Sequence, residues 1–205
     1  MVRGVKPSVE ETTVACPACS APGKVTLHST IQVATEPDLK DALLAGKLSV
    51  FTCEKCGQRA RIAHPMLYAD NARNFFVQLD PEGTIDLGSI EKKPRLSRRV
   101  RESNSLIEKI RIEDAGLDDR VIELWKLLLG DVDLQYTGMP WFFERIEGDS
   151  IHFTLVTPKG PLATKRPRAE YDKLAAEMKE RGALLIDEAF ATIDRTYAAK
   201  LMSGE

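Results

Sequence analysis

Cys16-Pro17-Ala18-Cys19 and Cys53-Glu54-Lys55-Cys56 decide how this chain is read. Two residues between cysteines allow a tight turn that points both sulfurs at one ion. Two such turns supply four thiolates, the tetrahedral shell of a structural Zn²⁺. Thiolates are soft ligands, which excludes Mg²⁺ and Ca²⁺. A mononuclear iron of rubredoxin type has the same shell, and the spacing does not separate it from zinc. Gly57, directly after the second pair, permits the positive φ that such a knuckle needs. Cys16, Cys19, Cys53 and Cys56 are therefore the expected ligands, Zn²⁺ is the expected ion, and its role is structural because four protein ligands leave no open position for chemistry. A Cys-Pro-x-Cys turn also serves thioredoxin-like redox enzymes, but there it precedes a long helix. Here a strand is expected next, and a second pair stands ready to ligate.

Thirty-three residues separate Cys19 from Cys53, more than the 15–20 or so of a compact ribbon. The pattern between them accounts for the excess. Lys24 to Val33 is apolar and β-branched enough for a strand. Glu36-Pro37-Asp38 opens a short helix with Leu39, Leu43 and Leu44 on one stripe, and Gly46 is placed to end it. Leu48 to Thr52 and Gln58 to Ala63 flank the second pair as strands. Asn74 to Leu79 is another, before the Asp80-Pro81-Glu82-Gly83 turn. His64-Pro65 sets a turn into Met66-Leu67-Tyr68. The histidines at 28, 64 and 152 read as packing or surface residues, since four thiolates already complete the shell.

Further along, the periodicity changes from strand to helix. Ser105-Leu106-Ile107-Glu108 fits a capping box, and Gly116 can end the helix it opens. Asp118-Asp119 can cap a second helix with Val121, Ile122, Leu124, Trp125 and Leu128 on one face and Gly130 as its stop. Leu134 to Tyr136 reads as a strand. Trp141 to Ile146 and Ile151 to Val156 form a hairpin around Glu147-Gly148-Asp149. Pro158, Gly160, Pro161 and Pro167 mark a loop. Ala169 to Arg181 and Ala189 to Met202 read as helices.

The expected fold class is α+β. A loose tail at 1–11 precedes a four-cysteine ribbon-like β domain with an inserted helix at 12–89. A basic connector at 90–104 leads to a small α+β domain at 105–205 with C-terminal helices. The connector is the sharpest charge feature. Lys92, Lys93, Arg95, Arg98, Arg99 and Arg101 fall within ten residues that hold no acid. The 205 residues carry a net charge of −2, too balanced for a surface that grips nucleic acid everywhere. The balance is uneven, however: residues 1–105 hold 15 basic and 12 acidic side chains, and the remainder 14 and 19. No apolar stretch follows the first basic residues and none approaches a membrane span, so a cytoplasmic location is expected. Reduced cysteines there favour metal over disulfide.

From Thr12 to Gly83 the chain resembles the CPxC-motif (CpXC domain) family. The resemblance rests on Cys16-Pro17-Ala18-Cys19, Pro37-Asp38-Leu39-Lys40, Leu43-Leu44, Phe51-Thr52-Cys53-Glu54-Lys55-Cys56-Gly57 and His64-Pro65-Met66-Leu67-Tyr68 with Asp70. Asn104 to Leu128 is similar to the region that often follows this domain. The resemblance implies a bacterial source and a four-cysteine, zinc-ribbon-like site, and it implies no activity.

Three functions compete. The first is a non-enzymatic adaptor whose second domain docks a protein partner or self-associates, with Trp141 and Phe142 as a candidate contact patch. The second is nucleic-acid binding through the ribbon and the six basic connector residues. The third is an enzyme using carboxylates of the second domain, Asp118-Asp119, Asp131/Asp133 or Asp187-Glu188. Each of those pairs also reads as a cap or turn, and no catalytic residue is assigned.

Overall fold

The computed structural model describes residues 9–86, 94–132, 136–184 and 188–203, with backbone alone at 131 and 132. The chain is mixed α+β and divides into two compact units, Met1–Leu106 and Ile107–Glu205.

The first unit opens on an antiparallel hairpin, β1 (Val9–Ala15) with β2 (Pro22–His28). The strand thus begins inside the stretch expected to be a loose tail, and Lys24 Nζ holds Glu11 at 2.6 Å across the pair. The expected long strand to Val33 breaks at Ser29. Its remainder is β3 (Thr30–Gln32), which leaves the hairpin for a different sheet. Helix α1 (Pro37–Leu44) starts with its proline in the first turn, where the missing N–H costs nothing. It ends at Gly46, whose φ of 67° lets the Lys47 N–H turn back to the Ala42 carbonyl at 2.8 Å. A second hairpin follows, β4 (Val50–Thr52) with β5 (Arg59–Arg61).

A four-stranded sheet completes this unit in the order β3-β6-β7-β8, built from β3, β6 (Met66–Asp70), β7 (Phe75–Leu79) and β8 (Leu96–Val100). The outer pairs are parallel and the central pair antiparallel. Two of its strands depart from the expectation. Met66-Leu67-Tyr68, which the sequence leaves without an element after the His64-Pro65 turn, is the start of β6. The end of the basic connector is not a solvated link: Leu96–Val100 pairs in register with Phe75–Leu79, and Ser97, Arg98 and Val100 are buried. Backbone pairing and full burial of β7 on both faces outweigh the charge of the neighbouring strand, because its arginines find partners.

Helix α2 (Ser103–Asp114) starts in the last residues of the first unit and runs into the second, where α3 (Asp119–Val132) precedes a three-stranded antiparallel sheet in the order β11-β10-β9. Its strands are β9 (Trp141–Glu147), β10 (Ser150–Thr157) and β11 (Gly160–Pro167). Helices α4 (Arg168–Glu180) and α5 (Arg195–Ser203) follow. The core is aromatic. Phe153 meets Trp125, Trp141 and Phe143 edge to face, at centroid distances of 5.4, 6.3 and 6.2 Å.

Four local expectations change here. Ser105 lies inside α2 and is not its cap; the Leu106 N–H bonds the Glu102 carbonyl at 3.0 Å. Helix α3 passes through Gly130. The Pro/Gly-marked segment after Thr157 is the edge strand β11, exposed along most of its length. The last helix starts at Arg195, where Asp194 Oδ1 accepts the Tyr197 N–H at 3.0 Å. The strand expected at Leu134 to Tyr136 falls largely outside the described residues.

Candidate metal centre

Each cysteine pair sits in the six-residue loop of a hairpin. Ala15 pairs with Pro22 around the first loop, and Thr52 with Arg59 around the second. The loops are folded alike. The Ser20 N–H bonds the Cys16 carbonyl at 2.9 Å, and the Gly57 N–H bonds the Cys53 carbonyl at 2.8 Å. In turn the Cys16 N–H bonds Ala21 O at 2.9 Å and the Cys53 N–H bonds Gln58 O at 2.8 Å. Such turns bring both sulfurs of a pair to one side.

All four Sγ atoms lie within 4.8 Å of one another. Cys16 and Cys56 approach to 3.6 Å, as do Cys19 and Cys53, so each close contact joins the two loops. No pair is a disulfide. A tetrahedron with metal–sulfur arms of about 2.3 Å has sulfur–sulfur edges of about 3.8 Å. The cluster therefore fits one four-coordinate metal ion, and its donor chemistry suits zinc. Beneath it, Cys16, Cys53, Val25 and Phe51 form a small buried cluster backed by Val14, Ala21, Leu27 and Ile62. Gly23 lies against the Phe51 ring so closely that a Cβ there would sit 2.5 Å from it.

The thiols do not ionise alike without a cation. Burial opposes ionisation of Cys16, but the Ala18 and Cys19 N–H groups and the Cys56 and Cys53 thiols outweigh it and bring its pKa down to about 7. At Cys56 the Gln58 N–H favours the thiolate, yet Cys19, burial, Cys16 and Cys53 push the pKa up to about 12. Cys19 is also raised: the Ala21 N–H and Cys56 favour its thiolate, and burial, Cys53 and Cys16 prevail. Like charges this close do not all form unless a cation joins them.

The other candidate residues lie apart from this cluster. His64 bridges backbone, its Nε2 at 3.0 Å from the His28 carbonyl and its Nδ1 at 3.3 Å from that of Ile62. His152 faces Glu147 at 3.4 Å. In the connector, Lys92 and Lys93 lie outside the described residues. Arg98 is 2% exposed, which removes it from any contact surface. Arg99 bonds the Ile85 carbonyl and pairs with Asp80 at 3.5 Å. Arg95, though exposed, donates to Arg73 O at 3.0 Å, and the Arg101 guanidinium lies over Gly83. Trp141 is a core residue, 7% exposed, and not a surface patch; Phe142 is half-buried with Lys126 Nζ 5.9 Å from its ring centroid.

The carboxylates of the second unit are structural as well. Asp118 takes the Arg120 N–H at 3.0 Å and its guanidinium at 2.6 Å. Sequence reasoning missed the group that Asp119 joins. Lys109 Nζ lies 3.0 Å from Asp119 and 3.2 Å from Glu123, and Lys126 Nζ lies 2.9 Å from Glu123 and 3.0 Å from Glu108. Glu108 also takes the Phe143 N–H at 2.6 Å. The five side chains come from α2 and α3 and are buried or nearly so; only their helical spacing beside apolar residues hinted at it. Asp131, Asp133 and Asp187 have no described side chain.

Two hairpin knuckles converging on one four-thiolate cluster define a zinc-ribbon-like module. A family model described as CpXC protein matches residues 14–126, and the chain belongs to that family. No curated protein matches the chain, and no solved structure does. No helix among the described residues is long and apolar enough to cross a membrane.

Proposed function

We propose that the chain is a zinc-binding adaptor of the bacterial cytoplasm, in which the metal holds the two hairpins together and the second unit docks a protein partner or another copy of itself. The carrying observation is the closure of the site: four Sγ atoms within 4.8 Å fill a tetrahedral shell and leave no position for a substrate or an activated water. The absence of convergence between Asp118 and Asp119 works against the carboxylate-enzyme reading. Docking draws support from β11, whose outer edge pairs with no strand among the described residues and whose side chains are largely exposed. Burial of Arg98 and engagement of Arg99 weaken the connector as a nucleic-acid contact. Metal analysis of the purified chain is expected to give one zinc per molecule without the visible absorption of an iron tetrathiolate. Sedimentation and affinity capture from the host then test docking; a monomer that recovers no partner refutes the adaptor.

A further inference from the structure

Beside the second hairpin lies an open depression of about 470 Å³ between the end of α1 and the β4–β5 pair. Lys47, Arg59 and Arg61 line it with the small or apolar Ala45, Gly46 and Val50, and no carboxylate does. Arg59 and Arg61 are two apart on one strand, so they share a face of the hairpin. Lys47 and Arg59 are exposed, and neither side chain has a partner among the described residues. Arg61 is held in place. Its Nη1 donates to Asn104 Oδ1 at 2.9 Å, and its Nη2 lies 2.5 Å from where a Cβ on Gly46 would be. Gly46, with φ of 67°, thus serves the helix end and makes room for the guanidinium. Between Lys47 and Val50, Ser49 adopts φ of 55°, and its hydroxyl is buried with no hydrogen-bond partner. Ser49 does not itself line the depression, so the three cationic side chains alone mark it as a ligand site.

We infer that this cleft binds a phosphate group. Two guanidinium forks and an ammonium match the oxygens of a phosphate better than those of a single carboxylate, and three positive charges with no carboxylate partner among the described residues call for an anion of more than one charge. At the end of α1 the Asp41, Leu43 and Ala42 carbonyls are already taken up by the Ala45, Gly46 and Lys47 N–H groups, which lessens their repulsion of an anion. An open depression, not an enclosed pocket, suits a phosphate presented on a chain or a small ester. The inference concerns a surface apart from the cysteines and does not depend on which metal they hold.

The test uses the full, metal-loaded chain and two probes, inorganic pyrophosphate by calorimetry and a short labelled oligothymidylate by anisotropy, with oligoglutamate as the non-phosphate control. At low salt the parent chain is expected to bind a phosphate probe. With three contacts, oligothymidylate affinity should fall with salt at a log–log slope of about −2. The Lys47→Gln/Arg59→Gln variant should lose about tenfold in affinity and reduce that slope to about −0.7. Its metal content and circular dichroism should not change, since both side chains are exposed. A Lys173→Gln/Lys179→Gln variant on α4 should bind like the parent. Oligothymidylate binding that pyrophosphate displaces places the phosphate on a polynucleotide; pyrophosphate binding alone places it on a small phosphate compound; either supports the site. No binding of either probe, equal binding by the Lys47/Arg59 variant, or preference for oligoglutamate overturns it.

Discussion

Ser20 and Gly57 occupy the same position in the two knuckles, four residues after Cys16 and Cys53, and both adopt left-handed backbone, with φ of 57° and 72°. Each donates its N–H to the carbonyl of the first cysteine in its loop. The first loop therefore meets with serine a demand that the second meets with glycine. Left-handed backbone costs a residue with a Cβ about 1 kcal/mol. Replacement in the two loops should have opposite signs. Gly57→Ala should destabilise the metal-loaded hairpins by about 1 kcal/mol, all of it conformational, because nothing lies within 4 Å of the added Cβ. Ser20→Gly should be neutral or stabilising by up to about 1 kcal/mol, the relief being offset by a freer unfolded chain. Thermal melts of the two zinc-loaded variants decide it, and losses of equal size in both would show that the loops are not equivalent.

Gly23 and Phe51 test the support beneath the metal. A Cβ at Gly23 would fall 2.5 Å from the Phe51 ring, and that ring is 1% exposed with little room to retreat. Gly23→Ala should cost about 1–3 kcal/mol by overpacking. Chelator competition should show faster metal release than from the parent. Unchanged stability and release would mean the ring moves freely.

Metal affinity should depend steeply on pH. Cys56, raised to about 12, and the likewise raised Cys19 are protonated at neutral pH, so binding a dication to four thiolates displaces at least their two protons. Protons compete with the metal, and affinity falls as pH falls. Around pH 7 the apparent affinity should drop at least about 100-fold per pH unit. Titration with a chromophoric chelator measures this, and a slope below two protons would contradict the four-thiolate shell.

The buried ion group in the second unit has three carboxylates, Glu108, Asp119 and Glu123, against two ammonium groups, Lys109 and Lys126. Removing an ammonium should be far worse than removing a carboxylate charge. Lys109→Met leaves Asp119 and Glu123 buried without their cation and should cost about 3–5 kcal/mol. Glu108→Gln keeps an oxygen to accept the Phe143 N–H and leaves two charges of each sign. It should cost about 1 kcal/mol or less. Burial already raises the pKa of Glu108, in spite of Lys126, so a neutral group is well tolerated there. Urea unfolding of the two variants makes the comparison; similar losses would show that charge balance is not what the group needs.

The knuckles and α1 were legible because their signals are local. Cysteine spacing, Pro37 and Gly46 each act within a turn of themselves. Strands β6, β8 and β11 were not, and each for its own reason. β6 is buried at four of five positions and has no alternation to read. β8 carries Arg99, whose partners, Asp80 and the Ile85 carbonyl, lie 14 or more residues back in the chain. β11 is an edge strand exposed on both faces, so its Pro, Gly, Thr and Lys content reads as loop. The convergence of Glu108, Lys109, Asp119, Glu123 and Lys126 depends on how two helices pack, which no spacing within either one reveals.

Both tryptophans of the chain, Trp125 and Trp141, lie in the core of the second unit, so their fluorescence reports that unit alone. Burial works against charge on Lys109 and Lys126, but Asp119, Glu123 and Glu108 around Lys109, and Glu108 and Glu123 around Lys126, prevail and raise both above the ordinary 10.5. A raised lysine contributes stability that is fully present below pH 10.5 and is lost as pH rises through the folded value. Glu123 is lowered, burial being overcome by Lys109 and Lys126, so its contribution is present above pH 4.5 and lost below it. Glu108 is shifted upward, mainly by burial, and acts in the opposite sense: its contribution is present below pH 4.5 and is lost as pH rises through its folded value. Tyr171, raised mainly by burial, adds to the alkaline loss from pH 10 upward. The urea midpoint read by tryptophan fluorescence should therefore fall above pH 10.5, and any decline between pH 4.5 and 10 reports the loss of the Glu108 contribution. In Tyr171→Phe the alkaline fall should persist, because the two lysines remain. A midpoint in that variant that stays level to pH 12 would mean the lysines are not held by their carboxylates.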